Sequence, residues 1–454
     1  MKKVSVIALV ALAFCVSSAL AADTLWTRTY SGPGANMDQG RAVATIGTDI
    51  YVTGQEMTPS EPNVLVVKYH ANGDTAWART FNLDTMEQPV DIAVGSDSGP
   101  VVCVSMLGMP PAFRVIKLNK NGDTVWTRRR NGVQATNLAL DDDGNVFVLG
   151  AAFGTMPNES LYLGKYTPAG AQDWQKTFVL GTNHQTGGAC CDASGNILGV
   201  VSFNAQNGPF SGCIKFSPSG DTVLRVSPVE LTGATVLAVA ADPAGFLALG
   251  AQRGTEFIVA RCSTSGALSW VQTANGIQPM PDAYNALTVD SDTNIVAGGA
   301  GSGQNGVIVK FTQSGQMLWN GICQLTGTYN GVAVDAEKRP ILVGLSQIAP
   351  PPCLTVKFTG VIGVEEGGRS SVRSPSTGAT ILKSGSPVTV QVQKAGSYKV
   401  ALYDARGVVV QQFHDGSLSA GSHSFTVGSL AAGQYYLKVT GKSGTVESKL
   451  VQVR

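Results

Sequence analysis

Charge is scarce in this 454-residue chain: Asp, Glu, Lys and Arg make up 14% of it, and 32 basic against 31 acidic residues leave a net +1. That balance excludes a protein that grips nucleic acid through bulk positive charge, so no nucleic-acid partner is expected. Histidine is rarer still, with four residues, and no C-x-x-C occurs. Such a set offers no zinc ligands, and neither a metal nor a cofactor is expected. The chain has no G-x-S-x-G turn, the mark of a strand-to-helix nucleophile. Only His70 and His184 precede residue 361, which leaves Ser/His catalysis few bases. The apolar period of 3.6 that marks amphipathic helices is missing too. Glycine, by contrast, is abundant: 54 residues, beside 21 prolines and an apolar fraction of 43%. That apolar content builds large cores and excludes a mostly disordered chain. With so little charge and so much glycine, it points to strands and tight turns.

Residues 1–21 read as a secretory signal peptide. Lys2 and Lys3 form its basic start, Val4 to Val16 its apolar stretch, and Ala19-Leu20-Ala21 its small-residue site, with cleavage between Ala21 and Ala22. The apolar stretch is shorter than the roughly 20 residues of a membrane span, and no later segment is longer. Phe14 before Cys15 is too bulky for a lipidation site. A soluble, exported protein with no transmembrane segment is expected. Seven cysteines stay in the mature chain, an odd number that cannot pair completely within it. Most sit at apolar strand positions, where Cys acts as a small hydrophobe.

An internal repeat organises the next 340 or so residues. An apolar-apolar-Lys-aromatic segment precedes a Gly turn and a Trp, as in Val66-Val67-Lys68-Tyr69 before Gly73-Asp74-Thr75-Ala76-Trp77. The basic residue recurs at 117, 165, 215, 261, 310 and 357, with spacings of 49, 48, 50, 46, 49 and 47. Periods of about 40–50 residues signal propellers or related arrays. Each unit also holds an alternating strand ending in Asp, then a turn and a second apolar strand, as in Leu138-Ala139-Leu140-Asp141 before Gly144-Asn145-Val146. Four short strands per unit fit a propeller blade. The first Trp strand, Thr24 to Tyr30, has no basic strand before it, and the last basic strand, Leu354 to Phe358, has no Trp strand after it. Pairing the two closes a ring of seven blades over residues 22–360 and removes two sheet edges.

These motifs resemble the secreted bacterial seven-bladed β-propeller repeat family over about three quarters of the chain. The resemblance implies a fold and no particular ligand.

Residues 361–386 are rich in Gly, Ser and Pro and read as a linker into a second domain. From 387 to 454, about seven short strands suggest a small Ig-like β-sandwich. The expected fold class is therefore all-β: a seven-bladed propeller followed by that sandwich. Residues 361–454 carry ten Lys/Arg against five Asp/Glu, while 22–360 carry a net −6. Leu402-Tyr403-Asp404-Ala405-Arg406-Gly407, Leu430-Ala431-Ala432-Gly433-Gln434-Tyr435-Tyr436 and Lys449-Leu450-Val451 resemble the C-terminal sorting domain of the type IX secretion system. Asp404, Gly407, Leu430, Gly433, Tyr435 and Lys449 carry the match. Ala431 stands where that family often has Pro, and a plain Ig-like domain is the alternative. The resemblance implies the secretion machinery as a partner, passage through the periplasm, and release or attachment at the outer-membrane surface of a bacterium.

Residues repeated in every unit should be structural. The third-strand Lys/Arg then packs its stem between blades, the Trp is blade core, and Asp141-Asp142-Asp143-Gly144-Asn145 is a hairpin turn rather than a calcium loop. Strand alternation points Cys190 and Cys191 to opposite faces, against a vicinal disulfide of the quinoprotein kind. Function belongs where the repeats differ, in the connections between strands two and three and between blades, which share one face. Met57, Phe153, Phe210, Tyr284 and Tyr329 are the candidate binding residues there. The expected role is non-enzymatic binding of a protein or glycan. A carboxylate-dependent glycan hydrolase or lyase using loop residues such as Glu56, Glu61, Glu87 and Glu159 is one alternative; a quinoprotein or a structural envelope protein are others.

Overall fold

In the computed structural model, the described residues are 21–22, 24–32, 37–59, 61–83, 86–153, 160–206, 208–278, 285–348, 351–359, 372–376, 381–382, 387–392, 396–404, 408–419, 421–430, 433–441 and 444–452. The chain divides into two compact units between Gly360 and Val361. No helix among the described residues is long and apolar enough to cross a membrane.

In the first unit, continuous apolar runs bounded by Gly and Asp turns form strands buried on both faces. Pro100–Met106 and Cys353–Phe358 are buried along their whole length. The strands make five four-stranded antiparallel sheets and one eight-stranded path. In that path the long strand Met317–Val334 pairs with Asn305–Phe311 through its first half and with Pro340–Ser346 through its second, so the path divides into two further four-stranded blades. The fourth strand of the last blade is Thr24–Tyr30, antiparallel to Cys353–Phe358 with Trp26 opposite Lys357. The first strands of successive blades lie side by side around a closed circuit, and the last packs on the first. Asn330 Nδ2 donates to Gly40 O (2.7 Å) and Thr45 Oγ1 to Val334 O (2.8 Å) across that closing seam. This is the β-propeller fold, numbered below as blades 1 to 7 from Gln39–Ile46.

The second unit is two sheets. Val372–Ser376, Pro387–Val392 and Gly421–Thr426 form one; Ile381–Leu382, Gly444–Gln452, Gly433–Gly441, Gly396–Asp404 and Val409–Leu418 form the other. Val390 of the first sheet and Tyr398, Val400, Leu402, Tyr435, Leu437 and Val439 of the second share one buried core. The tail is thus a small all-β sandwich.

Candidate functional site

The repeated residues form joints. Each third-strand cation meets a carboxylate: Lys68 and Asp49 at 2.7 Å, Lys117 and Asp97 at 2.7 Å, Lys165 and Asp173 at 3.3 Å, Lys215 and Asp192 at 2.7 Å, Arg261 and Asp242 at 2.7 Å, Lys310 and Asp290 at 2.5 Å, Lys357 and Asp335 at 2.6 Å. In blades 4 to 7 the carboxylate is the Asp that ends the first strand. The same Asp caps its hairpin: Asp192 Oδ1 accepts Asn196 N and Asp335 Oδ1 accepts Arg339 N, both at 2.9 Å. Burial alone would raise Asp192, yet the Lys215 ammonium and the Asn196 bonds hold it below the usual carboxylate range. Asp141 serves the same turn, its Oδ1 accepting Asn145 N at 2.8 Å.

In blades 7, 1, 2 and 5 the Trp strand is joined to the next blade. Trp26, Trp77, Trp126 and Trp270 donate their indole N–H to backbone carbonyls of the following blade's third turn at 2.8–3.0 Å. The turn glycine lies against the ring. Gly170 has φ 79°, and a Cβ there would stand 2.6 Å from Trp126, so both conformation and space demand glycine. Two residues after the Trp, Arg28, Arg79, Arg128 and Lys176 lie over the ring, 5.5–5.9 Å from its centroid, and Arg128 Nε also donates to Gly170 O (2.5 Å). This Trp-x-Arg/Lys element is visible in the sequence as a repeated spacing, although sequence reasoning singled out only the Trp.

A polar cluster links the first strands across the circuit. Asp91 is buried; its Oδ2 accepts Leu138 N (3.1 Å) and its Oδ1 accepts Ile92 N (2.8 Å). Asn285 accepts from Asn137 Nδ2 (3.0 Å) and donates to Val90 O (3.4 Å), and Asn137 Oδ1 accepts Ala189 N (2.8 Å). Burial raises the Asp91 carboxyl to about 7, although the backbone bonds to Leu138 and Ile92 and the amide of Asn285 pull the other way. Blades 2, 3, 4 and 6 meet in this cluster.

The described cysteines are all free. Cys190 packs into the core between blades 4 and 5, Cys191 into that between blades 3 and 4, as alternation requires. Burial pushes the thiols of Cys190 and Cys353 up to about 12.

On the face of the variable connections, a pocket of about 430 Å³ opens beside blade 4. Three segments wall it: the start of strand Thr182–Cys191 (Asn183, Gln185), the turn joining Ile197–Ala205 to Gly208–Phe216 (Ser202, Phe203, Asn204, Pro209, Phe210, Ser211), and the link into blade 5 (Ser227, Leu231 to Thr235). Asn183 adopts a left-handed conformation, φ 55°, which Asn tolerates better than most residues. The pairing register shifts between Thr182 and Gln185; Asn183 and Gln185 face the pocket while His184 between them is buried against Phe203, ring centroids 5.9 Å apart. Neither His184 nitrogen has a partner among the described residues. Phe203 and Phe210 stack at 5.0 Å and 23°. Ser202 Oγ and Ser211 Oγ are 2.9 Å apart, and Ser211 Oγ accepts Val236 N at 2.9 Å, which ties the pocket wall to blade 5.

Of the candidate binding residues, only Phe210 lines this pocket. Met57 ends strand Asp49–Met57 in blade 1, its N–H bonded to Asp38 Oδ1 (2.9 Å). Phe153 follows blade 3's second strand, 41% exposed. Tyr284 lies outside the described residues. Tyr329 is corrected: it belongs to no open loop but to the long strand Met317–Val334, fully buried, its hydroxyl donating to Leu325 O (2.8 Å). Gly306 leaves the room its ring fills. Glu56 and Glu87 are buried, Glu87 accepting Leu83 N, and Glu159 lies outside the described residues. Sequence reasoning missed Asn183, Gln185 and Asn204, for which a single sequence holds no signal beyond the loop's place in the repeat.

In the tail, Asp404 closes a hairpin: its N–H donates to Val408 O (2.8 Å) and its Oδ1 accepts Val408 N (3.0 Å). Gly407 lies outside the described residues. Gly433 opens strand Gly433–Gly441; Tyr435 is buried, Leu430 packs against the same core, and Lys449 pairs opposite Tyr436. Ala21 and Ala22 form a short parallel pairing with Asn320 and Gly321.

Residues 384–453 match the model of the secretion system C-terminal sorting domain. Fold and match together define an exported all-β protein: a propeller carrying a type IX secretion sorting domain at its C-terminus. A comparison with curated proteins gives no match. Among solved structures, the chain is similar to the polysaccharide lyase Uly1 (11% identity, 70% of this chain and 89% of that one, TM-score 0.46), to the Dos1 propeller (7%, 75% and 97%, 0.43) and to a protein of unknown function from Bacteroides caccae (11%, 63% and 94%, 0.40). At these scores the likenesses bear on neither site nor ligand.

Proposed function

We propose that the protein is an exported, non-enzymatic binding scaffold that presents its variable loop face to a protein or glycan outside the cell. The N-terminal 21 residues direct it to the periplasm, and the sorting domain takes it across the outer membrane for release or surface attachment. The observation that carries the binding role is the pocket beside blade 4: it lies on the face where the repeats differ, and its walls belong to strands held by the joints that repeat. The test uses arrays of glycans and of purified proteins probed with the mature chain. A ligand is expected whose capture drops with Asn204→Ala and not with Asp143→Ala, in a hairpin of the opposite face. Capture insensitive to every loop-face substitution would refute the reading, as would turnover of a captured glycan. Deleting residues 373–454 should leave the protein inside the outer membrane; unchanged export would refute the role of the tail.

A further inference from the structure

We infer that the pocket beside blade 4 takes an uncharged oligosaccharide, an assignment that rests on the loop-face reading above. Its described lining holds no Asp, Glu, Lys or Arg. Arg253, beside the turn that closes it, is committed to the carbonyls of Glu230 (2.5 Å) and Thr232 (3.3 Å). A carboxylated or sulfated sugar, or a charged peptide, would meet no charged side chain in that lining, and the nearby Arg225 guanidinium is stacked over Phe203, 6.0 Å from its ring centroid; anionic ligands are held by charged donors. The polar groups offered are of one kind. The amides of Asn183, Gln185 and Asn204 are exposed and hold no partner among the described residues. An amide both donates and accepts, as a sugar hydroxyl does. Beside these polar groups lies the stacked pair Phe203 and Phe210; Phe203 is only 3% exposed, so the partly exposed Phe210 presents the apolar surface. A pyranose ring has the same division, with C–H groups on its faces and hydroxyls at its rim. The volume of about 430 Å³ falls within the roughly 300–1,000 Å³ of small-molecule sites. The walls need little ordering on binding, because the serine bonds and the buried His184 and Phe203 already hold them, and preorganisation favours capture of a flexible, weakly binding ligand.

The experiment titrates the mature full chain, by calorimetry and saturation-transfer NMR, with neutral gluco-, manno-, xylo- and galacto-oligosaccharides of two to four units. Uronate and sulfated oligosaccharides and an uncharged Ser/Gly peptide serve as comparators. At least one neutral series should bind; Asn204→Ala should weaken it roughly three- to ten-fold, the range of one hydrogen bond, and Phe210→Ala about ten-fold. Gln185→Ala, at an exposed position, is the second variant should Phe210→Ala disturb the fold, and Asp143→Ala should change nothing. Binding of the charged sugars in preference to the neutral ones overturns the inference, as does preference for the peptide. Neutral-sugar binding that none of the pocket variants weakens overturns the pocket assignment while leaving a loop-face binder intact. No sugar binding at all, beside capture of a protein on the array, overturns this inference alone.

Discussion

The pair Lys357 and Asp335 is the strictest test of how the ring is held. Both side chains are 0% exposed and 2.6 Å apart, and among the described residues the ammonium's other acceptor is Ala71 O at 3.3 Å. Asp335→Asn removes the charge and keeps an oxygen for the hairpin bonds from Glu337 and Arg339. The protein then has two ways to respond. It can bury an unpaired ammonium, at a cost of about 3–5 kcal/mol. It can instead release the proton, which from an ordinary lysine value of about 10.4 costs roughly 4.6 kcal/mol at pH 7. Either way the loss is about 3–5 kcal/mol. Asp173, partner of Lys165 in blade 3, is 46% exposed, and Asp173→Asn should cost about 0–1 kcal/mol. The double variant Asp335→Asn/Lys357→Met removes both charges and should recover most of the loss. Urea unfolding followed by tryptophan fluorescence reports the propeller alone, because all six tryptophans lie between Trp26 and Trp319. Equal losses for Asp335→Asn and Asp173→Asn, or a double variant no more stable than Asp335→Asn, would refute the reasoning.

Asp91 predicts a slope with pH. Its folded carboxyl sits near 7, above the unfolded value, so the stability its neutral form contributes is complete below about pH 4 and is lost as pH rises through 7. Three units correspond to about 4 kcal/mol at most; urea midpoints between pH 4.5 and 7.5 should fall in the native protein and stay flatter in Asp91→Asn, and parallel curves would exclude Asp91 as the source. Gly170→Ala combines a left-handed alanine with contact against Trp126 and should cost about 2 kcal/mol or more, whereas Gly47→Ala, also left-handed but with open space around it, should cost only the conformational part; equal unfolding midpoints for the two would count against the Trp joint. A thiol reagent should find seven cysteines in the denatured mature chain and react slowly with native Cys103, Cys213 and Cys353, which are buried; rapid native reaction of all seven would contradict that burial.

Much of this architecture is written locally. Lys68, Lys117, Lys165, Lys215, Arg261, Lys310 and Lys357 recur at nearly constant spacing because each occupies the same place in the same short strand. Alternation places Cys190 and Cys191 in different cores. The tail's Leu402, Tyr435 and Leu437 read as core for the same reason. Loops resist such reading. Tyr329 sits among small and polar residues like those of an open loop, yet it is strand and core, because a distant glycine, Gly306, admits its ring. The carboxylate partner also shifts: Asp49, Asp97 and Asp173 serve blades 1 to 3, where no first-strand Asp meets the lysine.

The sequence by itself determined the all-β class, the repeat, the division near residue 360 and the sorting tail, since each rests on periods and motifs carried within a few dozen residues. Only the tertiary structure decided the register that sets Trp26 opposite Lys357, the Asn285 side chain bonded to Asn137 and Val90, and the pocket that joins Asn183, Asn204, Phe210 and Thr235. Those depend on which residues far apart in the chain become neighbours when the ring closes, and a local pattern does not specify that.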